Sequence, residues 1–261
     1  MSTTLLIGES KSGKTKALET LPRGLVDFSF DRNGWQSIKK KKVVVVHSLV
    51  EWLKTDDVLA PDQCLVVDYA VSDPIELHQY TRSESSHFMN FGMDANALWL
   101  QTDRCKAKGI CHVCIDSLTS LQSPIGEFIR AMNSRVIATQ QDWGQIVGKI
   151  DEVIQSMVGL PFDFILIAHI QAEKDEVTGR IKEVPLVYGK QLPNQIMAKF
   201  DDIFLTVSER GPQGMKYEWA TAPEGLLKII GTRSFDNLPS RIPPDFAKLY
   251  GDRLYKGEVK P

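Results

Sequence analysis

The sequence predicts an α/β fold, a mostly parallel sheet with helices on both faces, and three observations carry that expectation. Short apolar runs alternate with helix-like segments, the pattern of parallel strands joined by crossovers. The first run, Thr3-Thr4-Leu5-Leu6-Ile7, leads at once into a glycine loop and then a helix-like segment. Later runs end in an acid or a histidine, and ligands on open parallel sheets gather at the strands' carboxyl ends.

The totals fit one soluble domain. The chain has 261 residues, 43% of them hydrophobic and 25% charged, enough to bury a full core. We expect a core over residues 1–245, with room for an insertion at 72–109, and a tail over 246–261. Because the glycine loop comes at once, we also expect no separate domain ahead of it. The formal charge of −2 gives no general attraction to polyanions, so nucleic-acid contacts would have to come from local basic loops. No apolar run approaches the roughly 20 residues of a membrane span, and the polar start lacks a signal-peptide pattern. A cytoplasmic protein without membrane attachment is the expectation.

The loop reads Gly8-Glu9-Ser10-Lys11-Ser12-Gly13-Lys14-Thr15, a complete G-x-x-x-x-G-K-[ST] phosphate cradle. Gly8 and Gly13 permit turns closed to side-chain-bearing residues, so successive N–H groups converge on a β-phosphate at the positive end of the following helix. Lys14 reaches the β- and γ-phosphates, and Thr15 offers its hydroxyl to Mg²⁺. Residues 15–21 read as that helix, and 24–30 as a second strand ending at the turn Asp31-Arg32-Asn33-Gly34. Lys39 to Lys42 then precede Val43-Val44-Val45-Val46, β-branched residues suited to a strand buried on both faces. The lysines themselves suit either a solvated strand entrance or a nucleic-acid contact.

Ser48 caps a short helix, and Leu65-Val66-Val67 gives another strand, ending at Asp68. Residues 72–109 show weak periodicity, with a helix expected over 96–106 carrying Trp99. An apolar strand follows over 110–115 and terminates in Asp116. An acid at the end of a strand beside the phosphate-loop strand can hold the hydration shell of Mg²⁺, so Asp116 is the preferred metal-side carboxylate and Asp68 its rival. Cys111 and Cys114, with Cys105 and His112 nearby, have a zinc-like spacing, yet their strand context favours core thiols. Ile146, Val147, Ile150, Val153, Ile154, Met157 and Val158 lie at helical spacing on a helix over 143–158. A buried strand over 162–168 comes next, its end carrying His169 and Gln171.

The strand ends now present residues 8–15, Asp31, Asp116 and His169 in order. That set resembles the RecA-type branch of the P-loop ATPases, and more closely the RecA-like ATPases of bacteriophages, which include single-strand annealing and recombination factors. The likeness covers about residues 3–245. Besides the phosphate loop it rests on Cys114-Ile115-Asp116-Ser117-Leu118-Thr119-Ser120-Leu121, Gln141-Asp142-Trp143-Gly144, Ile165-Leu166-Ile167-Ala168-His169 and Pro185-Leu186-Val187-Tyr188-Gly189-Lys190. It implies ATP and Mg²⁺ as ligands and Asp31 as the acid that orients or deprotonates the attacking water. Many relatives carry Glu at that place, so the shorter Asp bears on reach. It implies His169 as the polar sensor of the γ-phosphate, with Gln171 as competitor.

Two loops of such proteins face DNA. Here one is a polar hairpin over 174–183, with Lys174, Arg180 and Lys182, and with Lys190 beyond it; the other lies between Ser117 and Trp143, with Arg130 and Arg135. Basic groups there suit phosphates and Trp143 a base, although Glu173, Asp175, Glu176 and Glu183 dilute the charge. The tail through Ile229-Ile230-Gly231-Thr232-Arg233 and the Pro-Asp-Phe segment ending at Phe246 resembles the family's closing strand, and Arg233 is the residue that would act in trans in a homo-oligomer. The lack of a preceding segment counts against the recombinase mode of linking subunits. The function implied is Mg²⁺-dependent ATP hydrolysis on single-stranded DNA during phage recombination, annealing or replication, in the host cytoplasm. Phage single-strand-binding or replication proteins are the further partners implied. A nucleotide-binding switch with little turnover, regulating a protein partner, is the alternative. A small-molecule kinase ranks last, because 72–109 offers only Arg82 and Arg104 for a lid.

Overall fold

Strand β1 (Thr3–Gly8) is buried along its whole length, with Leu5 and Ile7 packed into one hydrophobic core and Leu6 into the other. That two-sided burial is what a central strand of a helix-covered sheet requires. The computed structural model describes residues 1–70, 80–174, 179, 181–212, 214–223, 226 and 230–251, with the side chains of 80–86 left aside. The strands that follow are β2 (Gly24–Ser29), β3 (Lys42–Val46), β4 (Gln63–Asp68), β5 (Ile110–Asp116) and β6 (Asp163–Lys174). Beyond them lie β7 (Ile181–Pro185), β8 (Asp202–Gly211), β9 (Gly214–Ala220), β10 (Gly231–Thr232) and β11 (Arg241–Ile242).

Their spatial order is β11-β9-β8-β1-β6-β5-β2-β4-β3, with β10 on β8 and β7 on β6. From β8 to β3 every neighbouring pair is parallel, while β9 and β11 add antiparallel partners at the far side. The expected mostly parallel α/β sheet is therefore the fold. Register aligns Gly8 with His169, and Asp116 with both Ser29 and Ile167, so the carboxyl ends of β1, β6, β5 and β2 open on one edge.

Helices α2 (Leu49–Lys54), α3 (Tyr80–Leu100), α5 (Leu118–Met132), α6 (Gln140–Val158) and α7 (Leu192–Met197) cover one face. On the other lie α1 (Lys14–Ala17), a 3-10 turn Leu18–Thr20, and α8 (Phe246–Tyr250), which seats Phe246 and Tyr250 against Trp219 and Phe235. The short α4 (Thr102–Ala107) leads into β5. On α6, Ile146, Ile150, Ile154 and Met157 are buried, as the helical spacing predicts.

Several expectations need correction. The helix over 15–21 is a single α turn continued by the 3-10 turn. The valine run of β3 is not buried on both faces: β3 is the edge strand, and Val44 and Val45 are 36% and 43% exposed because no described strand pairs beyond it. Asp116 does end a strand, but β6 lies between that strand and β1, so the two are not adjacent. The stretch between Ser117 and Trp143 is mostly α5, despite Pro124 within it, and only residues 133–139 form a loop. Finally, β6 runs past His169 to Lys174 and pairs antiparallel with β7, so the hairpin is a ribbon that continues the sheet.

The free thiols Cys64, Cys105 and Cys114 are buried, and Cys111 is half-buried. No helix among the described residues is long and apolar enough to cross a membrane. Ser48 accepts the Glu51 N–H at 3.3 Å as the cap of α2 and donates to the fully buried Asp94 at 3.0 Å. Asp94 also takes the Val50 N–H at 2.9 Å and the Tyr69 hydroxyl at 2.6 Å, which ties α2, α3 and β4 together. Ser48→Ala is therefore expected to lower unfolding stability by about 1–3 kcal/mol, a cap plus one hydrogen bond to a buried carboxylate. Chemical denaturation checks it; an unchanged midpoint would show the Asp94 knot to be energetically idle.

Candidate functional site

Residues 8–15 connect β1 to α1 and wrap the open edge of the sheet. Gly13 sits at φ +90° and marks the start of α1, a conformation that disfavours any side chain. At Gly8 a Cβ would come within 2.8 Å of the Thr206 carbonyl, so the loop needs both glycines. Lys14 is buried and donates to its own loop's carbonyls, Gly8 at 3.0 Å and Glu9 at 2.6 Å. Burial pulls its ammonium down to about 8, opposed by the charges of Asp116 and Asp31.

Asp116, fully buried at the end of β5, accepts the Thr15 hydroxyl at 2.6 Å on Oδ2. Its Oδ1 is buried with no hydrogen-bond partner among the described residues. Burial and the negative charge of Asp31 raise this carboxyl to about 7, while Thr15 and Lys14 pull the other way. An orphaned carboxylate oxygen beside a threonine hydroxyl at a phosphate cradle is a donor set suited to Mg²⁺, which takes oxygen ligands and keeps several waters. Thr15 and Asp116 would hold that ion.

Asp31 lies just past β2, its carboxylate 3.9 Å from His169 Nε2 through Oδ2. Oδ1 accepts Ser117 Oγ at 3.1 Å and Ser120 Oγ in a short contact. Burial pushes the Asp31 carboxyl up, but the neighbouring His169 ring and the hydrogen bonds from Ser120 and Ser117 outweigh it and hold the group below its ordinary value. His169 ends the part of β6 paired with β1, and its N–H is fixed by the Thr119 hydroxyl at 3.1 Å.

Lys14, Thr15, Asp31, Asp116 and His169 thus line one cleft of about 670 Å³, together with Lys11, Lys16, Arg32 and Tyr217. The rivals lie elsewhere: Asp68 ends β4 and caps the Ala70 N–H at 2.8 Å, while Gln171 lines a separate hollow with Tyr188 and Lys190. Tyr217 was not singled out in the sequence. It comes from β9, and its ring lies where a Gly13 side chain would be, with Lys16 Nζ 5.6 Å from its centroid. Ser120 was visible only as part of the Ser-Leu-Thr-Ser string after Asp116.

The basic candidates among the described residues are placed apart from the cleft. Arg130 pairs with Glu127 and donates to the Val136 carbonyl at 3.2 Å. Arg135 donates to Thr139 at 2.6 Å and to Asp142 at 2.7 Å, and that guanidinium holds the Asp142 carboxyl well below the usual carboxylate range. Lys174 is exposed at the end of β6, and Lys182 on β7 pairs with Glu173 at 3.2 Å. Lys190 lines the hollow beside Gln171, and Arg180 lies outside the described residues. Arg233 follows β10, its N–H on the Asp201 carbonyl at 2.8 Å, at the edge opposite its own phosphate loop.

Trp143 is 44% exposed and meets Tyr188 edge-on at 5.1 Å, beside the exposed Val136 and Ile137. This aromatic pair is wired to the cleft. Gln122 accepts the Tyr188 N–H at 2.5 Å and donates to the Leu186 carbonyl at 3.1 Å, while the Leu186 N–H reaches the His169 carbonyl at 2.7 Å.

A sequence profile described as an AAA domain (AAA_24) matches residues 2–220. No curated protein matches the chain. Among solved structures, a KaiC-like protein of Pyrococcus horikoshii OT3 is similar over 94% of this chain and 87% of its own, at 11% identity and a TM-score of 0.39. The flagellar accessory protein FlaH of Methanocaldococcus jannaschii is similar over 92% and 83%, at 10% identity and 0.36. An ATPase of the type III secretion system of pathogenic bacteria is similar over 79% and 52%, at 8% identity and 0.40. The chain belongs to the AAA domain family.

Proposed function

We propose that this AAA-domain protein binds and hydrolyses ATP with Mg²⁺ and couples that cycle to single-stranded DNA held on its Trp143–Tyr188 side. The observation that carries the nucleotide half is the convergence of Lys14, Thr15, Asp31, Asp116 and His169 on one cleft. Phosphoryl transfer needs placement and charge stabilisation more than covalent chemistry, and each residue has a part in that. Loop N–H groups and Lys14 hold the phosphates. Thr15 and Asp116 would hold Mg²⁺, which when bound would supply charge neutralisation to the transferred group. Asp31 orients the attacking water and takes its proton through Oδ2. His169 feels the γ-phosphate beside it.

The DNA half is supported by the hydrogen-bond path from the His169 carbonyl through Leu186 and Gln122 to Tyr188. A shift of His169 on nucleotide binding would move the backbone under Tyr188 and Trp143, whose rings suit base stacking. Lys174, Lys182 and Lys190 on and after the β6–β7 ribbon, with Arg130, Arg135 and, outside the described residues, Arg180, would meet phosphates. A place in phage recombination, annealing or replication follows from the sequence resemblance, as do phage replication proteins as partners and a homo-oligomer in which Arg233 reaches a neighbour's nucleotide.

The test is single-stranded DNA affinity with and without a nonhydrolysable ATP analogue across a salt series, alongside phosphate release. We expect nucleotide-dependent binding with a steep salt slope and DNA-stimulated turnover that Lys14→Ala abolishes. Absence of DNA binding in both nucleotide states would sink the coupling, and nucleotide binding without turnover would favour the quiet switch.

A further inference from the structure

Asp31 is one methylene shorter than the glutamate that often serves at this step, so its direction matters more than its charge. What fixes that direction is the first turn of α5. Ser117 donates to Oδ1 at 3.1 Å and Ser120 donates to the same oxygen. Both hydroxyls stand on a rooted platform: Ser117 caps α5 by accepting the Ser120 N–H at 3.3 Å, its carbonyl takes the Leu121 N–H at 2.9 Å, and Leu118 and Leu121 are fully buried. The main chain of Asp31 is anchored as well, its N–H on the Asp116 carbonyl at 3.3 Å and its carbonyl taking the Gly34 N–H at 3.2 Å. With the backbone and Oδ1 both held, Oδ2 is the oxygen left to face His169 and the cleft.

We propose that Ser120, seconded by Ser117, is a positioning residue for Asp31: the two hydroxyls lock Oδ1 so that Oδ2 points at the attacking water. The proposal rests on the role given to Asp31 above. Ser120 is the informative partner, because Ser117 is also a helix cap and adjoins Asp116. Ser120 does not line the phosphate cleft, so its removal leaves nucleotide affinity alone and acts on the chemical step. The lost bond is one to a charged group, which predicts a fall in kcat of about 10- to 100-fold for Ser120→Ala.

The experiment measures kcat and the dissociation constant of a fluorescent ATP analogue for wild type, Ser120→Ala, Ser120→Thr, Asp31→Asn and the Asp31→Asn/Ser120→Ala double variant. The expected result is a kcat loss in Ser120→Ala with unchanged nucleotide affinity, recovery to within about threefold in Ser120→Thr, and no further loss when Ser120→Ala is added to Asp31→Asn. An unchanged kcat in Ser120→Ala, a parallel loss of nucleotide affinity, or full additivity in the double variant would overturn it. If Asp31→Asn itself keeps full turnover, the fault lies in the role of Asp31; if Asp31→Asn is slow and Ser120→Ala is not, the positioning role alone is wrong.

Discussion

Asp31→Asn is expected to slow triphosphate hydrolysis by about 10²- to 10⁴-fold while leaving nucleotide affinity within a few-fold. The substitution is nearly isosteric. An amide oxygen in place of Oδ1 still accepts the Ser117 and Ser120 hydroxyls, so the side chain keeps its direction. What changes is the atom facing His169, now an NH₂ group that cannot take a proton from water. The electrostatic consequences run against any loss of metal: the charge of Asp31 raises the Asp116 carboxyl, so removing it favours the ionised form that would hold Mg²⁺. A slow Asp31→Asn enzyme with intact nucleotide and Mg²⁺ binding would therefore locate the loss in activation of the water. Single-turnover phosphate release with saturating nucleotide is the direct measurement. Wild-type rates in this variant would move the catalytic carboxylate elsewhere in the cleft.

Which parts of this site were legible in the sequence follows from the range of the forces that form them. Residues 8–15 and the acid ending β5 are local signals, a backbone that needs glycine and an apolar run closed by a charge. The α6 stripe is local too, since 3.6-residue periodicity is written along one segment. Strand order is not local. Val43 to Val46 look like a central strand, and only the absence of a further neighbour makes β3 an edge. The insertion of β6 between β1 and β5 is likewise a matter of pairing, settled far from either strand in sequence. In α3 the periodicity was blurred because its buried face, Phe88, Phe91, Ala97 and Leu98, is interrupted by the buried Asp94, whose partners lie on α2 and β4. Tyr217 enters the cleft from a strand some 200 residues beyond the phosphate loop, and no spacing rule joins the two. Ser120 lay next to a legible motif, yet its meaning depends on Asp31 standing across the sheet edge.

Asp27 supplies the other large effect. It sits in the middle of β2, between Cys114 of β5 and Val66 of β4, fully buried, and among the described residues no hydrogen bond of ordinary geometry reaches either carboxylate oxygen. Burial first, and then the charge of Asp116, pushes its carboxyl well above the ordinary carboxylate range, the Cys114 thiol offering only partial relief. The folded protein therefore keeps this proton where the unfolded chain gives it up. As pH rises above about 4, the unfolded state binds fewer protons than the folded state, so unfolding stability falls, by up to about 1.4 kcal/mol per pH unit. The loss continues until the raised folded-state value is reached. Asn cannot ionise, so Asp27→Asn lacks this component, and its stability relative to wild type should climb as pH rises above about 4, until the raised folded-state value is reached. The buried amide adds a penalty of about 1–3 kcal/mol that does not vary with pH, which makes the slope the decisive quantity and not the absolute midpoint. Denaturant unfolding of both proteins at several pH values between 4 and 7 tests it, and parallel stability curves would mean that Asp27 is charged in the fold. A neutral Asp27 also bears on the cleft: with Asp31 and Asp116 converging on the same sheet edge, a third buried charge behind them would push the Asp116 carboxyl further up.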